Sequence, residues 1–291
     1  MHCRASRKEI EGLVSSCANS PEGESIDGLA TLREEYERRR CMLTDMTSRG
    51  TMSSASKQRI QDEPAFVLHS YPFRETSLIL DVFSRRHGRL PVMARGARRP
   101  KSSLRGVLMN FQPLRFSWFG KGEVRTLHSA EWQGGQPYLQ GTALMCGFYL
   151  NELLLNLLAR DDPHEQLFDY YRATLHRLAH ETDHAATLRC FEKHLLQELG
   201  YALALEHEAG SGKAIREEVC YRYAVERGAV QDDGGAGLPV LGKTLLDMAA
   251  DDYADPVSAQ QSKQLMRMLL NHHLGGKILH TRELIKDLQK L

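Results

Sequence analysis

The sequence predicts an α+β protein with several domains, in which a small five-stranded β-barrel precedes an all-helical domain with a β-hairpin insertion. Between residues 62 and 136, short segments rich in β-branched and aromatic residues alternate with turn signals such as Gly120-Lys121-Gly122. After Pro137, apolar residues recur at the spacing of amphipathic helices. A length of 291 residues is sufficient for both domains.

Residues 1–61 are predicted to be a mostly disordered extension. They mix Ser, Gly, Glu and Arg, and most of them lack the apolar periodicity of a packed element. Within the extension, only the pattern over Leu29–Met42 is compatible with a charged helix.

Residues 62–136 are predicted to form the barrel domain. The expected strands are Ala65–Tyr71, Thr76–Phe83, Gly88–Arg95, Phe111–Phe119 and Glu123–Glu131. Five strands in about seventy residues fit an OB-fold, which is a partly open five-stranded barrel.

Residues 137–291 are predicted to form the helical domain. The expected helices are Leu139–Leu158, His164–Leu178, Ala185–Leu199, Thr244–Ala250 and Val257–Leu274, with a short last helix from Thr281. Val219–Val225 and Gly228–Val230 are expected to pair as the hairpin.

The most apolar stretch, Ala143–Leu158, contains Asn151 and Glu152 and is too short to span a bilayer. It is expected to be a buried core helix. No apolar leader follows Met1, so the sequence predicts a cytoplasmic protein with no membrane segment. No two of its six cysteines are closer than fourteen residues, and we predict neither a metal site nor a cofactor.

The net charge of +1 conceals a strong separation of charge between the two domains. Residues 62–136 carry 12 basic and 6 acidic side chains, whereas residues 137–291 carry 16 basic and 22 acidic ones. A hydrophobic content of 42% excludes global disorder and a disulfide-rich miniature scaffold. The sequence therefore predicts a basic barrel joined to an acidic helical domain.

The strongest functional signal is a run of basic residues inside the barrel, with no acidic residue between its ends. Its members are Arg85, Arg86, Arg89, Arg95, Arg98, Arg99, Lys101 and Arg105. Positive charges at this density repel one another, and a polyanion relieves that repulsion. The run predicts binding to DNA or RNA phosphates, with strong salt dependence and little base preference. Ala94–Lys101 is expected to be a strand end followed by a mobile loop.

Six aromatic residues lie near this run in the sequence: Tyr71, Phe73, Phe111, Phe116, Trp118 and Phe119. Any that are exposed would stack on unpaired bases. For each of them singly, a position in the core is favoured. The alternative interpretation of the whole segment is a solvated basic face over an aromatic core.

Gly237–Thr244 matches the phosphate-binding P-loop pattern, with Gly242, Lys243 and Thr244 in the characteristic positions. A working P-loop follows a buried strand, whereas two aspartates precede this motif and Pro239 removes one backbone N–H. A loop before a helix is therefore favoured over a nucleotide site.

His180–His184 matches H-E-x-x-H, which binds zinc only when both histidines lie on one continuous helix. Thr182-Asp183 is instead typical of a helix end followed by an N-cap. Two surface histidines beside a turn are expected. No other catalytic pattern is present, so the sequence does not indicate an enzyme.

Arg189 and Lys193 are four residues apart on one predicted helix and share a face beside apolar residues. Such a pair suits an acidic, hydrophobic segment of a partner protein. A solvated face balanced by Glu192 and Glu198 fits the residues equally well.

Several segments resemble the RecO family of bacterial DNA repair proteins, and they occur in one order from about Pro64 to the C-terminus. The segments are Ala65–Ser70, Glu75–Phe83, Arg95–Arg98, Tyr149–Leu154, Leu188–Glu192, Leu199–Tyr201 and Leu274–Leu284. The resemblance implies an N-terminal OB-fold and a C-terminal helical domain. Many members hold zinc through four cysteines after Leu199–Tyr201, but here that region contains only Cys220. This chain is thus expected to resemble the members without zinc.

The resemblance also implies a function. Members of the family bind single- and double-stranded DNA, anneal complementary strands, and help RecR to load RecA onto DNA coated by single-stranded DNA-binding protein. The acidic C-terminal tail of the coating protein docks on the helical domain, and the family arginine of that surface corresponds to Arg189. The resemblance therefore favours docking at Arg189 and Lys193. A general OB-fold binder of RNA or single-stranded DNA and a P-loop nucleotidase remain the alternatives.

Overall fold

The structure of the protein is a computed structural model, and it describes residues 59–201, 203–231 and 237–288. The predicted N-terminal extension, including the helix suggested for Leu29–Met42, lies outside the described residues. Residues 59–61 are the exception, because the first strand already begins at Arg59.

Five strands form the barrel: β1 (Arg59–Phe73), β2 (Ser77–Ser84), β3 (Gly88–Ala94), β4 (Leu114–Phe119) and β5 (Arg125–Trp132). The order of hydrogen-bonded neighbours is β1-β2-β3-β5-β4, and β1 also pairs with β4, so that the barrel is closed. Only β3 and β5 are parallel among these pairs. The five-stranded fold is confirmed, although the barrel is closed rather than partly open.

Strand β1 begins six residues before its predicted start because it serves two neighbours. Its first part pairs with β4, where Arg59 lies opposite Phe119, and its last part pairs with β2. Register shifts in both pairings bend the strand between these partners. On β4, the side chains alternate between the barrel interior and the outside.

Six helices follow: α1 (Gly141–Leu157), α2 (Glu165–His180), α3 (His184–Glu198), α4 (Gly242–Ala249), α5 (Pro256–His273) and α6 (His280–Leu288). Between α3 and α4 lies a sheet of β6 (Cys220–Ala224), β7 (Gly228–Gln231) and β8 (Leu238–Leu241), in the order β7-β6-β8. The predicted hairpin is confirmed as β6 and β7. The third strand, β8, was not predicted, because it has only four residues and contains Pro239.

The barrel and the helical domain share one hydrophobic core. Phe66 of β1 and Phe83 of β2 point out of the barrel and pack against Phe168 of α2, each with ring centroids 5.4 Å apart. A second cluster fills the barrel interior, with Val82, Phe116 and other fully buried residues. The barrel wall is therefore apolar on both faces where it meets the helices.

Helix α1 is the buried core helix expected from its sequence, and its polar residues join elements together. Asn151 Nδ2 donates to the carbonyl oxygen of Leu68 over 2.8 Å, at a bulge in β1. Glu152 accepts from the backbone N–H groups of His280 and Thr281, which begin α6. Within the described ranges, no helix combines the length and the apolar character needed to cross a membrane.

The N-terminus of α5 gives the stability of the fold a defined pH dependence. The Asp255 carboxylate accepts from Ser258 N over 2.9 Å, and this bond holds the pKa of Asp255 below its ordinary value of 3.8. Its contribution to stability is thus complete above pH 3.8 and is lost as the pH falls through the lower folded-state pKa. Asp255→Asn keeps a capping side chain without the titration. Urea unfolding of both proteins should show their difference in unfolding free energy shrinking below pH 3.8. A difference that is constant with pH would contradict the role of the cap.

Candidate nucleic-acid interface

Three members of the predicted basic run make contacts within the protein. Arg85 forms ion pairs with Glu165 and Asp169 of α2, and the hydrogen bond to Asp169 raises the pKa of Arg85. Arg86 pairs with the fully buried Glu63 over 2.7 Å. Arg89 donates from Nη1 to the carbonyl oxygen of Leu155. These three arginines hold the barrel together and fasten it to the helices.

The other five members of the run are exposed on the connection between β3 and β4. They are Arg95, Arg98, Arg99, Lys101 and Arg105. None of the five forms a salt bridge with a carboxylate of the part of the chain that the structure describes. We call residues 95–105 the basic loop. Its charges are free to meet a polyanion.

The basic loop is a series of hydrogen-bonded turns, and the mobility that its sequence suggests stays a prediction. Arg98 N donates to the carbonyl oxygen of Thr76 over 2.8 Å, and Ser102 N donates to that of Arg99 over 3.0 Å. A short 3-10 helix covers Ser103–Gly106. Ala97 is 1% exposed and packs in the barrel core, a contact that the Gly- and Pro-containing sequence does not reveal.

Arg74 lies beside the basic loop, although it stands outside the basic run in the sequence. It occupies the β1–β2 turn with a φ of +51°, and its guanidinium lies 5.3 Å from the centre of the Phe73 ring. Arg98 Nη1 lies 3.5 Å from the carbonyl oxygen of Arg74. The antiparallel pairing of β2 with β3, with Leu78 opposite Ala94, brings these two turns together. In the sequence, Arg74 is separated from the basic run and is followed by the acidic Glu75. For these two reasons the sequence did not indicate it as a DNA-binding residue.

Of the six aromatic residues near the run, the structure buries Phe111, Phe116 and Trp118, as was favoured for each. The remaining three, Tyr71, Phe73 and Phe119, are half-buried. Among the described residues, the most exposed aromatic side chains are Trp132, the last residue of β5, and Tyr138, which follows that strand. Three of the candidates for base stacking are thereby removed.

Lys193 is not on the surface, contrary to the predicted cationic pair. It is 4% exposed, and its Nζ donates to the carbonyl oxygens of Met248 and Ala249 at the end of α4. Asp251 completes the site with an ion pair of 2.7 Å. The ammonium group thus satisfies the C-terminal carbonyls of a helix. Spacing along α3 alone could not show that α4 covers this face.

Arg189 belongs to a polar network inside the helical domain. Its Nη2 donates to Glu192 Oε1 over 2.7 Å, and Glu192 is fully buried. Tyr149 Oη donates to the same oxygen over 2.6 Å, and Arg282 donates to Tyr149 Oη over 2.9 Å. Burial raises the pKa of Tyr149. The side chain of Arg189 is 13% exposed, so that only its edge reaches solvent.

The P-loop match does not form a phosphate cradle. The backbone N–H groups of Gly242 and Lys243 donate to the carbonyl oxygens of Val219 and Glu217. Lys243 Nζ forms an ion pair with Asp247, and the buried Thr244 donates to the side chain of Gln261. The N–H, ammonium and hydroxyl groups that would bind phosphate in a P-loop therefore all donate to groups of the protein itself. This arrangement does not support a nucleotide site.

The H-E-x-x-H match is divided between two helices, as predicted. Helix α2 ends at His180, and Asp183 caps α3 by accepting from Ala186 N over 3.0 Å. Arg177 donates to Glu181 and lowers its pKa. Among the described residues, no three His, Cys, Asp or Glu side chains are grouped to hold a metal ion.

Comparison with known proteins assigns both domains to one family. The model for the N-terminal part of recombination protein O matches residues 59–135, and the model for its C-terminal part matches residues 139–283. The DNA repair protein RecO of Nitrosospira multiformis is 56% identical over 241 residues, which cover 82% of this chain and 100% of that protein. That of Dechloromonas aromatica is 54% identical over 240 residues, or 81% of this chain and 99% of the relative. On these matches, the chain belongs to the RecO family of bacterial DNA repair proteins.

Proposed function

We propose that the protein is a non-enzymatic recombination mediator that binds DNA through its basic loop. The observation that carries this proposal is the set of five exposed cations with no carboxylate partner among the described residues, supplemented by Arg74. Hydrogen-bonded turns bring these charges together on one short connection between two strands. Membership of a DNA repair family supports DNA as the polyanion.

Both single- and double-stranded DNA fit this surface, because Arg and Lys contact the phosphates that both forms share. Annealing requires two mutually repelling strands to approach each other. Cations that neutralise phosphates on either strand lower that repulsion. We therefore propose that strand annealing is the activity of the basic loop.

The proposed protein partners are RecR, through which RecA is loaded, and the acidic tail of single-stranded DNA-binding protein. For the tail, we propose that Arg189 is the recognition residue, since the segment Leu188–Glu192 carries the family resemblance. The proposal leaves Lys193 out, because this side chain is buried. Arg282 is joined to Arg189 through Tyr149 and Glu192, and it replaces Lys193 in the proposed surface.

The test is a salt series of DNA binding and annealing with the triple variant Arg98→Ala, Arg99→Ala and Lys101→Ala. The slope of log K against log salt is negative, and each lost phosphate contact reduces its magnitude by about 0.7 for single strands and about 0.9 for duplex. The triple variant is therefore expected to show slopes that are smaller in magnitude by about 2 for single strands and about 3 for duplex, together with slower annealing.

A variant with the same change of charge elsewhere is the matched control. Lys263, Arg267 and Lys277 are exposed on or beside α5, in the acidic helical domain. Their replacement by alanine should leave both slopes unchanged. Equal slopes for wild type and the basic-loop variant would overturn the proposal. Tight binding to RNA without DNA annealing would instead favour the general RNA binder.

A further inference from the structure

A cavity of about 220 Å³ opens directly beside the exposed cations of the basic loop. Its lining consists of Leu78, Ala97, Arg98, Leu104, Arg105 and Leu108. The three leucines are half-buried and pack against the core of the barrel. The two arginines are exposed. The cavity thus has an apolar wall and a cationic rim.

The walls of the cavity are fixed by the fold. Leu78 lies at the start of β2, opposite Ala94 of β3. The 3-10 helix presents Leu104 and Arg105 side by side, and Leu108 N donates to the carbonyl oxygen of Leu104 over 3.1 Å. Ala97, which is 1% exposed and packs in the barrel core, also lines the cavity. Paired strands and the 3-10 helix thus set the backbone positions of the residues that line the cavity.

The size and chemistry of the cavity select a particular kind of group. Sites for drug-sized molecules have volumes of roughly 300–1,000 Å³, so this cavity is suited to a single planar ring system. The apolar walls favour a bound ring whose face carries no charge. The two arginines favour a ligand that carries phosphates next to this ring. A nucleotide in a single strand combines these two features. In duplex DNA the bases are paired and stacked, and extruding one has a substantial energetic cost.

We propose that this cavity receives one unpaired base of a DNA single strand, while Arg98 and Arg105 bind the phosphates on either side of it. The inference rests on the proposed binding of DNA by the basic loop. It adds a contact that duplex DNA does not make. Single strands are thereby distinguished from duplex at a surface whose charges alone attract both.

The first experiment uses the unmodified protein. Its affinity for oligodeoxythymidine is compared with that for an abasic deoxyribose-phosphate strand that has the same number of phosphates. Burying one base is expected to favour the base-bearing strand by about tenfold, with equal salt slopes. Equal affinities would overturn the cavity proposal and leave the basic loop intact. No binding to either strand would instead overturn the proposed function.

The second experiment changes the wall of the cavity. Leu104→Ala is expected to weaken oligodeoxythymidine binding by about three- to tenfold and to leave affinity for duplex and for the abasic strand unchanged. Val107→Ala is the matched control, because Val107 also packs against the barrel core but does not line the cavity. Thermal unfolding establishes that both variants are folded, and Leu108→Ala replaces Leu104→Ala if that variant is not. Equal effects of the cavity and control variants would count against the proposal.

Discussion

Arg189→Ala is expected to lower the free energy of unfolding by about 3 kcal/mol, because it leaves a buried carboxylate without its cation. Glu192 is fully buried, and Arg189 lies 2.7 Å from it. After the substitution, the hydrogen bond from Tyr149 is the main compensation left to this carboxylate. The same residue is proposed to recognise a partner, so a loss of partner binding in this variant would have two causes.

Urea denaturation with a second-site rescue separates these causes. Adding Glu192→Gln to Arg189→Ala removes the stranded charge and is expected to restore most of the lost stability. Arg172→Ala is the control, since Arg172 pairs with Asp169 on an exposed part of α2 and contributes at most about 1 kcal/mol. If Arg189→Ala unfolds at the same urea concentration as wild type, the buried pair does not stabilise the domain.

Gly242→Ala is expected to destabilise the protein by at least about 3 kcal/mol or to prevent folding. A methyl group at this position would lie 1.9 Å from the carbonyl oxygen of Arg216 and 3.0 Å from the Tyr221 ring. The carbonyl oxygen is a backbone atom and cannot rotate away. The glycine is therefore required by packing between the start of α4 and the segment before β6.

Lys243→Ala provides the contrast, because Lys243 is half-buried and its ion pair with Asp247 joins neighbouring turns of one helix. Thermal unfolding should detect a large decrease in Tm for Gly242→Ala and little change for Lys243→Ala. If Gly237–Thr244 were instead a working P-loop, both variants would fold, and the Lys243→Ala variant would lose nucleotide binding. Stable Gly242→Ala protein would show that the close backbone approach is absent.

The sequence predicted those features of the fold that depend on local periodicity. The apolar spacing over Ala185–Leu199 predicted helix α3, which spans His184–Glu198. The break at Thr182-Asp183 correctly separates α2 from α3. Both signals arise within a few residues of the chain, so no knowledge of tertiary contacts is needed to interpret them.

The division of the basic run could not be predicted, since it depends on distant partners. Asp169 follows Arg85 by 84 residues. The acceptor of Arg89, the carbonyl oxygen of Leu155, is a backbone group without any sequence signature. Lys193 likewise meets Asp251 only because α3 packs beside the end of α4. Local spacing identifies charge, but tertiary packing decides which charges stay exposed.

The packing of Phe66 and Phe83 against α2 has a consequence for communication between the two proposed binding surfaces. Because the barrel and the helices bury one another, neither can unfold without exposing the core of the other. A ligand that binds only the folded barrel therefore also shifts the unfolding equilibrium of the helical domain. DNA held by the basic loop would thus slow amide hydrogen exchange in α1 and α2, with no change in their shape.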